Sequence, residues 1–88
     1  MTEQEIQIRI LTALYEKKED PTRSIEPIFT DIGVAKETFA HVVEQLEKNA
    51  LIEDANVQRD DQRNQVQLIF LNTARITEAG VRFLKAHL

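Results

Sequence analysis

From position 2 to about 20, apolar residues recur on two adjoining helical stripes. Ile6, Ile10, Ala13 and Leu14 form one, running out to Lys17, and Ile8, Leu11 and Tyr15 form the next. So broad a face predicts a helix that packs against more than one element. Thr2 and Glu5 have the spacing of a capping box at its start. Lys17 and Lys18 suit the negative end of its dipole, and Pro21 blocks continuation.

The 21–27 stretch, bracketed by Pro21 and Pro27, reads as a turn with room for a very short strand at Ile25. Ile28, Phe29 and Ile32 then suggest a short helix stopped by Gly33. The 36–48 segment has the strongest helical period, with Phe39, Val42, Val43, Leu46 and Ala50 on one stripe. Ala35 or Val34 stands where a polar N-cap is usual, at a cost of about 1 kcal/mol. Asn49 is expected in the left-handed position that ends the helix.

Next, the 51–58 run predicts a strand, the polar 59–65 run a projecting loop, and the 66–71 run a second strand with Val66, Leu68 and Phe70 on one side. A last helix opens at Thr77 as N-cap, with Ile76 and Val81 at staple positions. Val81, Leu84 and Leu88 make its stripe, flanked by Phe83. Gly80 in its first turn weakens the helix by about 1 kcal/mol relative to alanine. Close approach of the helix to the hairpin is the expected compensation.

The order is helix, short helix, tight turn, helix, strand, loop, strand, helix. That is an α+β chain, read as a winged helix-turn-helix: three helices, an antiparallel β-hairpin wing and a C-terminal helix in a single domain over residues 1–88. A lone hairpin is marginal, so the first and third helices are expected to cover its apolar face.

The run Asp31-Ile32-Gly33-Val34, followed by Phe39 and Leu46, resembles the YjcQ-type small winged-helix family of Gram-positive bacteria and their phages. The closing run Ala74-Arg75-Ile76-Thr77-Glu78-Ala79-Gly80-Val81-Arg82-Phe83-Leu84 is similar to that family's terminal pattern, aliphatic-Thr-x-x-Gly-x-x-aromatic-Leu. Two places depart from it. Ala35 stands where the family favours a polar cap, and Asn49-Ala50 where glycine and an aromatic are common. The resemblance implies a fold more than an activity.

Composition removes much chemistry. The 88 residues contain no cysteine, two glycines and two prolines. Thiolate metal sites, cysteine nucleophiles and glycine-rich phosphate loops are therefore excluded. His41 and His87 lie far apart with no carboxylates at ligand spacing around them. No nucleophile–base pair is recognisable, so the chain is not expected to be an enzyme or to need a cofactor. No run is long enough to span a membrane, and a cytoplasmic location is expected.

Charge shapes the functional expectation. Fifteen acids oppose eleven bases, for a net charge of −4. Residues 1–50 carry six bases and ten acids, and residues 51–88 carry five of each. An acidic chain lacks the general field that draws a protein to phosphates, so a DNA surface would have to be local or completed by a second copy. In a helix-turn-helix the 36–48 helix enters the major groove. Its expected outward positions are Lys36, Glu37, Ala40, His41, Glu44, Gln45 and Lys48.

Lys36, His41, Gln45 and Lys48 are the candidate nucleic-acid contacts there, opposed by Glu37, Glu44 and Glu47. A solvated face with a Glu44–Lys48 pair is the plainer reading. Arg59 and Arg63 flank the wing tip and are placed for a minor groove, unless Asp60 and Asp61 pair with them. Arg75, before the last helix, is a further phosphate candidate. Two functions stay open: a DNA-binding regulator or phage accessory factor, possible as a homodimer through the first or last helix, and an acidic module that binds a protein.

Overall fold

The computed structural model describes residues 2–22, 32–63, 65–71 and 73–87. Along them run α1 (Glu3–Glu19), α2 (Lys36–Lys48), β1 (Ile52–Glu53), β2 (Asn56–Arg59), β3 (Val66–Phe70), β4 (Arg75–Ile76) and α3 (Glu78–Ala86). The architecture is α+β, with three helices and a small antiparallel hairpin among the described residues. The expected strand at Ile25 and the helical positions Ile28 and Phe29 lie outside the described residues, as does Leu88.

α1 begins as its sequence predicts. The Thr2 hydroxyl oxygen accepts the Glu5 N–H at 3.2 Å, and the hydroxyl in turn donates to the Glu5 carboxylate at 3.2 Å. Such a cap contributes about 1 kcal/mol. Ile6, Ile10, Leu11 and Leu14 are buried, while Ile8, Ala13 and Tyr15 pack at the margin of the core. The wide face serves three neighbours, since α1 packs on α2, β4 and α3.

α2 starts at Ala35, which has the extended backbone of an N-cap but no side-chain hydrogen bond. Phe39, Ala40, Val42, Val43 and Leu46 are buried. Ala40 corrects the expectation of an outward residue. It shares a helix flank with Glu37 and Glu44, at i−3 and i+4, and the hairpin covers that flank. With α1 on one side and the hairpin on another, the buried sector is wider than a single stripe.

The helix ends in a Schellman turn. The Leu51 N–H donates to the Leu46 carbonyl at 2.9 Å and the Ala50 N–H to the Glu47 carbonyl at 3.0 Å. The left-handed residue is Ala50, at φ 59°, and not Asn49, at φ −86°. Ala50 is exposed and stands outside the stripe expected to include it.

The predicted 51–58 strand is divided. Asp54 takes φ 63° and breaks it into β1 and β2. β1 pairs with β4 and β2 pairs with β3, both antiparallel. The phase of β3 also differs from expectation. Val57 faces Ile69 and Gln58 faces Leu68, but Arg59 faces Val66, leaving Gln67 as a bulge. An extra residue shifts the side-chain alternation by one. Val66 therefore turns inward and is buried, whereas Leu68 and Phe70 turn out, 49% and 43% exposed. Ile69 and Val57 supply the inward side instead.

α3 is fastened by Thr77. Its hydroxyl accepts the Gly80 N–H at 3.0 Å and donates to the Ala50 carbonyl at 2.7 Å. The Thr77 N–H donates to the Leu51 carbonyl at 3.0 Å. A Cβ on Gly80 would lie 2.1 Å from that same Leu51 oxygen, which explains the glycine. The core closes with Ile52, Leu71, Ala74, Ile76 and Leu84, and no polar side chain is buried among the described residues.

Candidate interaction surface

The seam between α2 and the β2–β3 hairpin holds most of the candidate residues. The Lys36 ammonium donates to the Gln67 carbonyl at 2.6 Å. Glu37 accepts the Val66 N–H at 2.8 Å on one oxygen and meets the Arg59 guanidinium at 3.4 Å with the other. The Glu37 carboxyl is held below its ordinary value, first by the Val66 N–H and then by Arg59.

Arg59 lies along the seam and does not project from the hairpin. Its guanidinium forks onto both oxygens of Glu44 while reaching Glu37, and its side chain is 24% exposed. The bond to Glu44, and then the charge of Glu44 and the contact with Glu37, raise the Arg59 pKa. Two-pronged guanidinium–carboxylate pairs are the better-ordered kind of ion pair.

Glu37 and Glu44 were not foreseen as the partners of Arg59. The expected Glu44–Lys48 pair gives way to this one, and Asp60 spends a carboxylate oxygen on the Gln62 N–H at 2.8 Å. One signal was available: Glu37 and Glu44 are two helical turns apart, hence on one face.

The remaining candidates disperse. His41 points toward α1, with Nε2 3.6 Å from Glu3, and both side chains are exposed. Gln45 is half-buried and Lys48 is exposed at the end of α2. Arg63, in the turn at the hairpin tip, is exposed and has no ion pair among the described residues. Arg75 belongs to the other ladder. It bonds Asp54 at 2.7 Å and lies 3.7 Å from Glu53, its cross-strand neighbour, and these partners, Asp54 first, raise its pKa. The structure thus brings Lys36 and Arg59 together, leaves Arg63 further along the same hairpin, and separates Arg75.

Beside the seam runs a groove of about 270 Å³ between α2 and β2. Val43, Ala55 and Val57 contribute apolar surface to it, and Glu44, Glu47 and Asn56 contribute polar groups. Over α2 and the hairpin tip, Lys36, Lys48, Arg59 and Arg63 face Glu37, Glu44, Glu47, Asp60 and Asp61. No positive surplus results. No group of three or more candidate metal ligands is found among the described residues. No described helix is long and apolar enough to cross a membrane. No family model, curated protein or solved structure matches the chain.

Proposed function

We propose that this chain is a binding module of winged-helix type, similar to the YjcQ-type family, whose target is a protein bearing basic side chains. The observation that carries the reading is Arg59 gripped by Glu44 and Glu37. A wing arginine contributes to DNA affinity by neutralising phosphate. Here that charge is already neutralised by the helix that would enter the groove. To reach a phosphate, Arg59 must leave two carboxylates, which would then confront the same phosphates. The groove beside the seam suits the opposite arrangement. Its apolar residues match the stem of a lysine or arginine, and the exposed Glu47 carboxylate matches the head.

DNA binding is the second reading, with a regulatory or phage accessory role. The observation favouring it is Arg63, exposed at the hairpin tip without an ion pair among the described residues.

A single pair of titrations separates the two. The protein is titrated with mixed-sequence duplex DNA at about 20 mM and about 150 mM salt, and with an arginine-rich peptide under the same conditions. The protein reading expects no DNA binding even at low salt, and peptide-induced amide shifts around Glu44, Glu47 and Val57. DNA binding that falls steeply with salt, and weakens in Arg63→Ala, would overturn it in favour of the second reading.

A further inference from the structure

The outer face of the β2–β3 hairpin carries no charged residue at its paired positions. Its cross-strand pairs are Asn56 with Phe70 and Gln58 with Leu68. Leu68 and Phe70 are the large hydrophobic side chains most open to solvent among the described residues. Their outward position is built into the fold. The bulge at Gln67 turns this part of the strand over relative to Val66. The bulge is held from behind by Lys36 on the Gln67 carbonyl and by Glu37 on the Val66 N–H.

Other surfaces differ. α1 spends Ile6, Ile10, Leu11 and Leu14 inside the chain, α2 shows Glu37, Glu44 and Glu47, and α3 shows Glu78, Arg82 and Lys85.

Charge selects the occupant. Each chain carries −4, so two copies repel wherever carboxylates line their contact. At the paired positions of the amide and apolar face a twofold contact brings no carboxylates together. It is also self-complementary. Leu68 and Phe70 of one copy meet the same residues of the other, and an Asn or Gln amide is both donor and acceptor, so it can pair with its own symmetry mate. A strongly charged partner of either sign finds no complement there.

We propose that the chain self-associates as a twofold dimer through the outer face of β2 and β3, with Leu68 and Phe70 at the contact. Leu68 and Phe70 lie on the opposite side of the hairpin from the inward Val57 and Ile69, Asn56 stands at the edge it shares with the groove, and the proposal does not depend on the target of the seam. One face of a short hairpin falls below the roughly 800 Å² per partner of a standard interface. The dimer is accordingly weak and dissociates on dilution.

Sedimentation equilibrium from about 10 μM to about 1 mM tests it, a range that captures weak association. The wild-type mean mass should climb from 10.2 kDa toward twice that value. The double variant Leu68→Thr, Phe70→Thr should remain monomeric throughout, an affinity loss of at least about tenfold. A dilution series of wild-type amide spectra gives a reading that needs no variant, with shifts expected at Asn56, Gln58, Leu68 and Phe70. The proposal fails if the wild type stays at monomer mass up to about 1 mM. It also fails if concentration-dependent shifts map to α1 or α3, or if a folded double variant associates as the wild type does.

Discussion

Replacing Gly80 by alanine sets two rules against each other. Helix propensity alone favours Gly80→Ala by about 1 kcal/mol. The fold opposes it, because the new Cβ would stand 2.1 Å from the Leu51 carbonyl oxygen and 2.7 Å from Ile76 Cγ1. A tolerable carbon–oxygen spacing is about 3.3 Å, so α3 must withdraw by roughly 1 Å. The Leu51 oxygen cannot simply yield, since it accepts the Thr77 N–H at 3.0 Å. Withdrawal stretches that bond and the Thr77–Ala50 bond of 2.7 Å. Each contributes about 1 kcal/mol, and overpacking at such a contact costs about 1–3 kcal/mol more.

After the propensity gain, the net destabilisation is about 2–4 kcal/mol, a fall of roughly 10–30 °C in Tm for a domain of this size. Urea unfolding followed by circular dichroism measures it. Ala79→Gly, one position earlier in the same helix, is the control and should lose no more than about 1 kcal/mol. A Gly80→Ala protein as stable as the wild type would refute the close-approach argument.

Ala50→Gly should act in the other direction. Ala50 holds φ 59°, where a Cβ costs about 1 kcal/mol, so the glycine variant should melt higher, and an unchanged or lower midpoint in urea would count against the Schellman assignment. Glu37 gives a pH prediction. Its folded pKa lies below the ordinary 4.5, so its contribution is present above that value and is lost as pH falls through the lowered one. The stability gap between wild type and Glu37→Gln should therefore be widest near neutrality and close in acid. A gap that does not change between about pH 6 and pH 3 would contradict the Val66 and Arg59 bonds.

Elements governed by local rules were legible in the chain. The Thr2 and Thr77 caps and most of the α2 stripe follow from neighbours within a few residues. Gly80 was legible as a place of close approach, but the group it meets, the Leu51 carbonyl ahead of β1, is 29 positions away and not in the hairpin. Most of what escaped depends on distant partners. The phase of β3 turns on a bulge held by Lys36 and Glu37, about thirty positions away, and strand alternation cannot register that. Preference placed Asn49 in the left-handed position, but the Leu51–Leu46 bond of the turn falls where Ala50 must take it. The candidate site was legible by residue and not by partner. Arg59 was flagged, yet its neighbours Asp60 and Asp61 were the partners considered, while the acids that hold it lie on α2.

The start of α2 has a consequence for how the molecule opens. Ala35 supplies no side-chain cap, and the first-turn side chains of Lys36 and Glu37 reach sideways to the hairpin instead of back along the helix. A capped helix frays by itself, one turn at a time. This one is tied to the bulged strand, and the strand is tied to it. Local opening of the first turn of α2 is therefore expected to loosen the Val66–Gln67 segment with it, which hydrogen exchange at the Val66 amide would show.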